Sequence, residues 1–269
     1  MNTSPPHCGD SLGELAICIM TKYWDAGQVK TRLAKTIGIR AAALIHRELT
    51  MFLCESLAHC GNRRSVNLTP PNRATNVKHE LCQLNIQDRW QIEDQGTGDL
   101  GARMLNWFNR HANATQKTAQ FAIMIGADCP LLNTTHFESA AQCLSSAEVV
   151  LGPARDGGYY LIGFRSTLRE EIRRLLFEKM QWSTQSVLSE TRLRLKKHGV
   201  KWEEIKQEED IDTVFDFRRF LNLLRNANSS PRSQLEAHRQ DLLYQRLQTI
   251  ISDCSPTAKS LIYDQRNQL

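Results

Sequence analysis

No stretch of this 269-residue chain is apolar for long enough to cross a bilayer. The longest runs, such as FAIMIGA from Phe121, fall far short of the ~20 residues a spanning helix needs. The opening segment, MNTSPPHCGDSLGE, lacks a basic region followed by an apolar one, so no secretory signal is expected. The eight cysteines (Cys8, Cys18, Cys54, Cys60, Cys82, Cys129, Cys143 and Cys254) include no C-x-x-C pair, and the histidines offer no zinc spacing. Zinc ribbons and thioredoxin-like redox centres are thereby excluded. Several of these cysteines sit inside apolar periodic stretches, which suits buried free thiols in a reducing cytoplasm. No dense Lys/Arg block with interleaved aromatics occurs, and 34 basic against 29 acidic residues leave a net charge of only +5. That balance suits a small anionic substrate and gives no argument for nucleic acid. No internal repeat is visible.

What is present is a soluble globular composition, 41% hydrophobic, in a chain long enough to bury a substantial core. Short apolar runs alternate with helical periodicity. The segments ELAICIM, SVNLT, RWQIED, QFAIMIGADCP, AEVVLGPA, GYYLIGF and VKWEEIKQ read as strands. Helices are expected from Ile39, in NRATNVKHELCQL, in GDLGARMLNWFNRHAN, in NTTHFESAAQCLSS, in STLREEIRRLLF, in STQSVLSETRLRLKKHG and after DIDT. Strands alternating with helices predict an open α/β sheet. Residues 1–13 read as a loose tail and NANSSPRS, near Ser230, as a linker. Beyond it, Leu235, Leu242, Leu243, Leu247, Ile250 and Ile251 form an apolar stripe on one helix. That stripe must dock on the chain's own body or on a second copy, as a homodimer through the C-terminal helix would use it.

In open α/β sheets, ligands bind beyond the carboxyl ends of strands, and four motifs fall there. TKYWDAGQVKTR carries Lys22, Gly27, Lys30, Thr31 and Arg32. Backbone N–H groups with Lys and Arg suit phosphate oxygens, although the single glycine rules out the G-x-x-x-x-G-K-[ST] loop. QGTGDLGARM carries Gln95, Asp99 and Arg103, and its plainer reading is a loop with a helix cap. IGADCP places Asp128 just past the clearest buried strand, where a carboxylate needs a cation, a cap or water. EEDIDTVFD holds Asp210, Asp212 and Asp216, which also fit an ordinary helix start. Between two strands lies ARDGGYY, with Asp156, Gly157, Gly158 and Tyr159. It is either a plain hairpin turn or a place where a ligand approaches the backbone closely. Together the motifs give the layout of a metal-dependent transferase that uses a nucleotide.

Their order in the chain resembles a bacterial glycosyltransferase family of the arsenosugar-biosynthesis, or radical-SAM/selenodomain-associated, type. It runs K-x-x-x-x-G-x-V-K-T-R-L, Q-x-x-G-D-L-G-x-R-M, I-G-x-D-C-P, G-P-x-x-D-G-G-Y-Y-L-I-G, W-S-T and D-I-D-T. That family was long a domain of unknown function within the nucleotide-diphospho-sugar transferases. More distantly the chain is similar to guanylyltransferases. The resemblance spans roughly residues 14–222 and implies a GT-A type, Rossmann-like, mixed but mostly parallel sheet with helices on both faces. It divides the chain into a tail (1–13), a transferase-like domain (14–228) and a helical extension (229–269). It implies a divalent ion, magnesium or manganese, held by Asp128 and Asp212. Lys22, Gly27, Lys30, Thr31 and Arg32 would serve the phosphates, and Gln95, Asp99 and Arg103 the nucleotide. Asp156, Gly157, Gly158 and Tyr159 would form the acceptor side, with Asp156 and Asp128 catalytic. One departure stands out: relatives usually carry a proline where this chain has Tyr23-Trp24-Asp25-Ala26. Three activities remain open. They are glycosyl transfer from a nucleotide sugar to a small acceptor, nucleotidyl transfer from a nucleoside triphosphate to a phosphorylated acceptor, and nucleotide binding without catalysis.

Overall fold

Each expected apolar run becomes a strand in the computed structural model, which describes residues 14–112, 119–226 and 234–263. The tail 1–13 and most of the linker lie outside these residues. The strands are β1 (Leu15–Lys22), β2 (Arg63–Thr69), β3 (Gln91–Asp94), β4 (Phe121–Gly126), β5 (Val149–Pro153), β6 (Tyr159–Arg165) and β7 (Trp202–Glu204). They form one seven-stranded sheet in the order β3-β2-β1-β4-β6-β5-β7. The pairs β1/β4, β2/β3 and β5/β7 are parallel, whereas β6 runs antiparallel to both β4 and β5. The hairpin built on ARDGG inserts β6 into the place beside β4. The result is a mixed, largely parallel Rossmann-like sheet flanked by helices.

The helices are α1 (Thr31–Ile37), α2 (Ile39–Ser56), α3 (Ala74–Gln83), α4 (Leu100–His111), α5 (Thr134–Ser146), α6 (Glu170–Phe177), α7 (Val187–Lys197), α8 (Val214–Asn226), α9 (Gln234–Ser252) and α10 (Pro256–Tyr263). Neither α1 nor α10 is expected from the sequence.

The chain divides into two compact units. The first comprises residues 1–21, 54–126 and 131–208 and carries the sheet. Alternate side chains of its strands (Ala16, Cys18, Ala122, Met124, Leu151, Ile162 and Phe164) join Trp107 and Phe108 of α4 and Phe177 of α6 in one core. Phe108 and Phe164 meet at 4.3 Å between ring centroids. Burying such a ring contributes about 1.5–3 kcal/mol.

The second unit comprises residues 22–53, 127–130 and 209–269. Its organiser is α8, against which α1, α9 and α10 pack. Leu243, Leu247 and Ile251 of α9 are buried, so that part of the apolar stripe docks on this chain's own helices, whereas Leu235 and Leu242 are exposed. Ile250 is only half-buried. Among the described residues no helix is long and apolar enough to cross a membrane.

Candidate functional site

The second unit brings the first, third and fourth motifs together. The chain leaves β1 through Lys22 and turns at Asp25–Gln28, where the Gln28 N–H donates to the Asp25 carbonyl at 3.0 Å. Here a proline is absent, but Trp24 is buried and stacks with Tyr23 at 4.5 Å. Burial of the indole thus restrains the loop in place of a fixed φ. Gly27 takes φ 83, which only glycine adopts without strain.

The loop ends at Lys30, which precedes α1 in the left-handed conformation with φ 48 and ψ 44. A lysine at positive φ is uncommon and costs of order 1–3 kcal/mol unless its surroundings determine it. Here they do. The Lys30 side chain is 3% exposed. Its ammonium donates to Asp128 Oδ1 and to the Ile211 carbonyl. The Ile211 N–H in turn donates to the Asp128 carbonyl at 3.0 Å, which ties the strand-end acid to the D-I-D-T segment. Two residues beyond Lys30, Arg32 donates to Asp212 Oδ2 at 2.6 Å from an exposed position. Thr31 is exposed.

Asp128 keeps 55% of its side-chain surface open. Partial desolvation works to raise its carboxyl, but the neighbouring Lys30, with a smaller contribution from His46, outweighs this and holds it below the usual range. Of the acids in the fourth motif, Asp216 is engaged in the helix start: its Oδ2 accepts from the N–H and the hydroxyl of Thr213, each at 2.7 Å. That is a capping arrangement at the head of α8. The Asp212 N–H also donates to Asp216 Oδ2, at 3.3 Å, while the Asp212 side chain turns away and pairs with Arg32.

His46 on α2 was not among the expected site residues. It is buried, and its Nε2 donates to the Lys22 carbonyl at 3.2 Å. The only hint in the sequence is a polar ring on the apolar face of a helix, beside Ile45 and Leu49. Burial pushes its pKa down from 6.5 to about 4, with Lys30 and Lys22 adding to the fall and Asp128 opposing it. The ring is therefore neutral in the fold at pH 5, where the unfolded chain's is charged. Between about 4 and 6.5 the unfolded chain binds more protons, so stability rises with pH through that window. Going from pH 7 to pH 5 should remove about 2 kcal/mol through this group. Urea denaturation at both pH values checks this: His46→Gln should lose that part of the pH dependence, and an unchanged slope would contradict it.

The first unit holds the other two motifs. Gln95 is buried and its amide donates to the carbonyls of Thr21 at 2.8 Å and Asn67 at 2.9 Å. Its oxygen accepts from Arg103 at 3.3 Å, while Arg103 Nε donates to Gly98 O at 3.0 Å. Asp99 is the N-cap of α4 and accepts from Ala102 N at 2.8 Å. Gln95 thus pins two strand ends and orients Arg103. A Cβ on Gly101 would lie 2.5 Å from the Phe177 carbonyl, so that motif glycine serves helix packing.

In ARDGGYY, Asp156 is exposed and its Oδ1 accepts from Gly158 N at 2.9 Å, closing the turn. Gly157 has φ 92, and a Cβ there would lie 2.3 Å from the Gln185 carbonyl oxygen. The close approach that the glycine permits is made by the chain itself. Leu188 N donates to the Gly157 carbonyl at 2.9 Å, reinforcing that contact. Tyr159 packs against the core, and burial raises its hydroxyl pKa despite Arg194.

The architecture is the GT-A or cytidylyltransferase-like form of the Rossmann-like sheet. Residues 56–184 match the model of a family described as an uncharacterized protein conserved in bacteria, DUF2064. A structure from Desulfovibrio desulfuricans G20, provisionally described as a nucleotide-diphospho-sugar transferase, aligns over 89% of this chain and 97% of its own. Its TM-score is 0.72 at 23% identity. A cytidylyltransferase from Leptospira borgpetersenii serovar Hardjo-bovis aligns over 94% of this chain and 98% of its own, with TM-score 0.52 at 15% identity. The 4-diphosphocytidyl-2C-methyl-D-erythritol synthase of Anaerococcus prevotii DSM 20548 covers 76% and 93%, with TM-score 0.50 at 11% identity. No match was found among curated proteins.

Proposed function

We propose that the chain is a metal-dependent nucleotidyltransferase that joins a nucleoside triphosphate to a phosphorylated small acceptor and releases pyrophosphate. The observation that carries this reading is the buried Lys30, held at positive φ between Asp128 and the Ile211 carbonyl in a basic loop. Strain kept at such a point favours a functional role. The shared fold with two enzymes described as a cytidylyltransferase and a diphosphocytidyl synthase supports it. In the reaction an acceptor phosphate oxygen would attack the α-phosphorus, and the α–β bond would break with its electrons going to pyrophosphate. Lys30 and Arg32 would bind and orient the phosphates and offset the charge growing on their oxygens. Gln95 would hold Arg103 in place and Asp99 would hold the start of α4, and we propose these three as nucleotide-side residues.

Magnesium and manganese suit this donor set. Such ions use one or two carboxylates plus substrate phosphates. Asp128 and Asp212 lie in one unit, joined through the Ile211–Asp128 backbone bond. Among the described residues no group of three or more His, Cys, Asp and Glu could hold a metal, so phosphate oxygens would complete the shell. When bound, the ion would supply Lewis-acid neutralisation of the phosphates.

The Desulfovibrio structure's description favours a second reading, glycosyl transfer from a nucleotide sugar. The motif order supports placing the chain in the arsenosugar-type family, and seven free cysteines among the described residues support a reducing cytoplasm. Incubation with each triphosphate, manganese and a panel of sugar phosphates tests the first reading by pyrophosphate release. Nucleoside diphosphate release from nucleotide sugars would favour the second. Metal-dependent nucleotide binding with neither product released would favour nucleotide binding without catalysis.

Two further outcomes are expected. Arg32→Ala should weaken nucleotide binding by about 1.5–3 kcal/mol, the scale of a charge-assisted bond, and calorimetry showing equal affinity would remove Arg32 from the site. For Asp156 we propose a role in orienting the acceptor or taking its proton. Asparagine can still accept from Gly158, so Asp156→Asn should leave stability within about 0.5 kcal/mol while turnover falls about 10²-fold. Near-normal turnover would leave Asp156 as a turn residue alone.

A further inference from the structure

Both acids assigned to the ion are already paired, and with bases from one short segment. Lys30 donates to Asp128, and Arg32 donates to Asp212. Two positive charges two residues apart thus meet two negative charges, and the set is neutral without any ion. The geometry points to a metal site that Lys30 and Arg32 keep closed until a polyphosphate draws them away. This rests on the nucleotidyl-transfer reading for its substrate, but its test involves no turnover.

The physical argument is competition for the same oxygens. A divalent ion arriving alone must displace an ammonium that is 3% exposed and also anchored on the Ile211 carbonyl. It must then leave that ammonium buried and without its counter-charge, which is expensive. A polyphosphate changes the balance. Its oxygens are better partners for Lys30 and Arg32 than a single carboxylate is, because they carry more charge and several acceptors. Once the bases turn to phosphate, both carboxylates are released beside ligands that the ion also needs. Metal and phosphate therefore assist each other, and the linkage is reciprocal: whatever one gains from the other is gained equally in reverse. Asp128's open face makes the exchange sterically cheap, since 55% of its side chain already meets solvent. Arg32, at 67% exposure, is free to reorient. The arrangement would prevent the protein from sequestering free metal and make it respond to the metal–nucleotide complex.

The test measures binding of Mn²⁺ alone by paramagnetic resonance of the free ion. Lys30→Met and Arg32→Met should each bind Mn²⁺ more tightly than the natural protein, by about 10-fold and about 3-fold, within the usual range of coupling between sites. Lys35→Met removes an equal charge from the same helix without touching either pair, and should change the affinity less than twofold. In the reciprocal arm, tripolyphosphate is titrated in the presence of chelator. Asp128→Asn should bind it about 10-fold more tightly, because Lys30 has lost its competing carboxylate. Unchanged or weaker Mn²⁺ binding in both Met variants would overturn the proposal. So would equal tightening by Lys35→Met, which would reduce the effect to overall charge. Should Lys30→Met not fold, the exposed Arg32→Met and the phosphate arm decide the matter alone.

Discussion

Alanine at Gly157 is expected to destabilise the protein by about 2–5 kcal/mol, against about 1–2 kcal/mol for alanine at Gly27. Both glycines sit at positive φ, 92 and 83, so both substitutions carry the backbone penalty of a side chain in that region, about 1–2 kcal/mol. Only one of them also meets an obstacle. A Cβ on Gly27 finds nothing within 4 Å. A Cβ on Gly157 would lie 2.3 Å from the Gln185 oxygen and 2.7 Å from its Cα. Those are backbone atoms, which cannot swing aside as the end of a lysine could. The segment before α7 would have to move, and with it the Leu188-to-Gly157 bond. Overpacking of this kind adds about 1–3 kcal/mol. Gly158 supplies the internal control. The nearest atoms to its added Cβ would belong to the Asp156 side chain, with Oδ1 at 3.2 Å, so Gly158→Ala should cost less than about 1 kcal/mol. Urea denaturation of the three variants would decide. If Gly157→Ala matched Gly27→Ala, the Gln185 contact would carry no weight, and the ligand-approach reading of the two glycines would regain ground.

The contrast between these glycines shows where a sequence stops being informative. The strands were legible because a buried strand is a continuous apolar run closed by Gly, Pro or a charge, and QFAIMIGADCP is such a run. The short helix α1 was not. It has seven residues, and it begins at a left-handed lysine with no capping side chain, so the usual start signals are missing. The start of α10 did carry a signal: Ser255, whose hydroxyl accepts from Ala258 N at 3.2 Å, followed by Pro256 at the first helical position. At the site, position was easier to read than partnership. Asp128 stood out as an acid just past a buried strand. Its pairing with a lysine 98 residues away, and that of Arg32 with an acid 180 residues away, leave no trace in one sequence. Among Asp210, Asp212 and Asp216, the Thr213-x-x-Asp216 spacing could have marked the capping acid and left Asp212 as the candidate ligand. His46 was hidden for a different reason. A buried neutral histidine within an apolar helix looks like core until its contact with the Lys22 carbonyl is known.

Lys30→Met is expected to lower turnover by about 10³-fold while leaving the fold intact. Methionine keeps the apolar stem that fills the buried path and removes the charge alone. The positive φ costs methionine about what it costs lysine, so the backbone gives no new reason to unfold. Asp128 loses its ammonium, but a side chain that is 55% exposed can be hydrated instead. The melting temperature should therefore shift by only a few degrees. Turnover is another matter. A buried, preorganised cation aimed at developing phosphate charge is worth far more than one in water, and removing a single such donor typically costs 10²–10³-fold. Lys30 stands at the upper end because its side chain is almost fully enclosed. The rate should be measured as pyrophosphate release at saturating metal, so that any gain in metal affinity cannot mask the loss. Lys30→Arg separates charge from shape. It restores the positive charge in a pocket cut for an ammonium, and partial recovery is expected. If Lys30→Met kept turnover within tenfold with an unaltered melting temperature, the lysine's charge would be absent from the reaction. Its place between Asp128 and the Ile211 carbonyl would then be that of a structural bridge, and the phosphate-binding role would have to rest on Arg32 and the loop's backbone N–H groups.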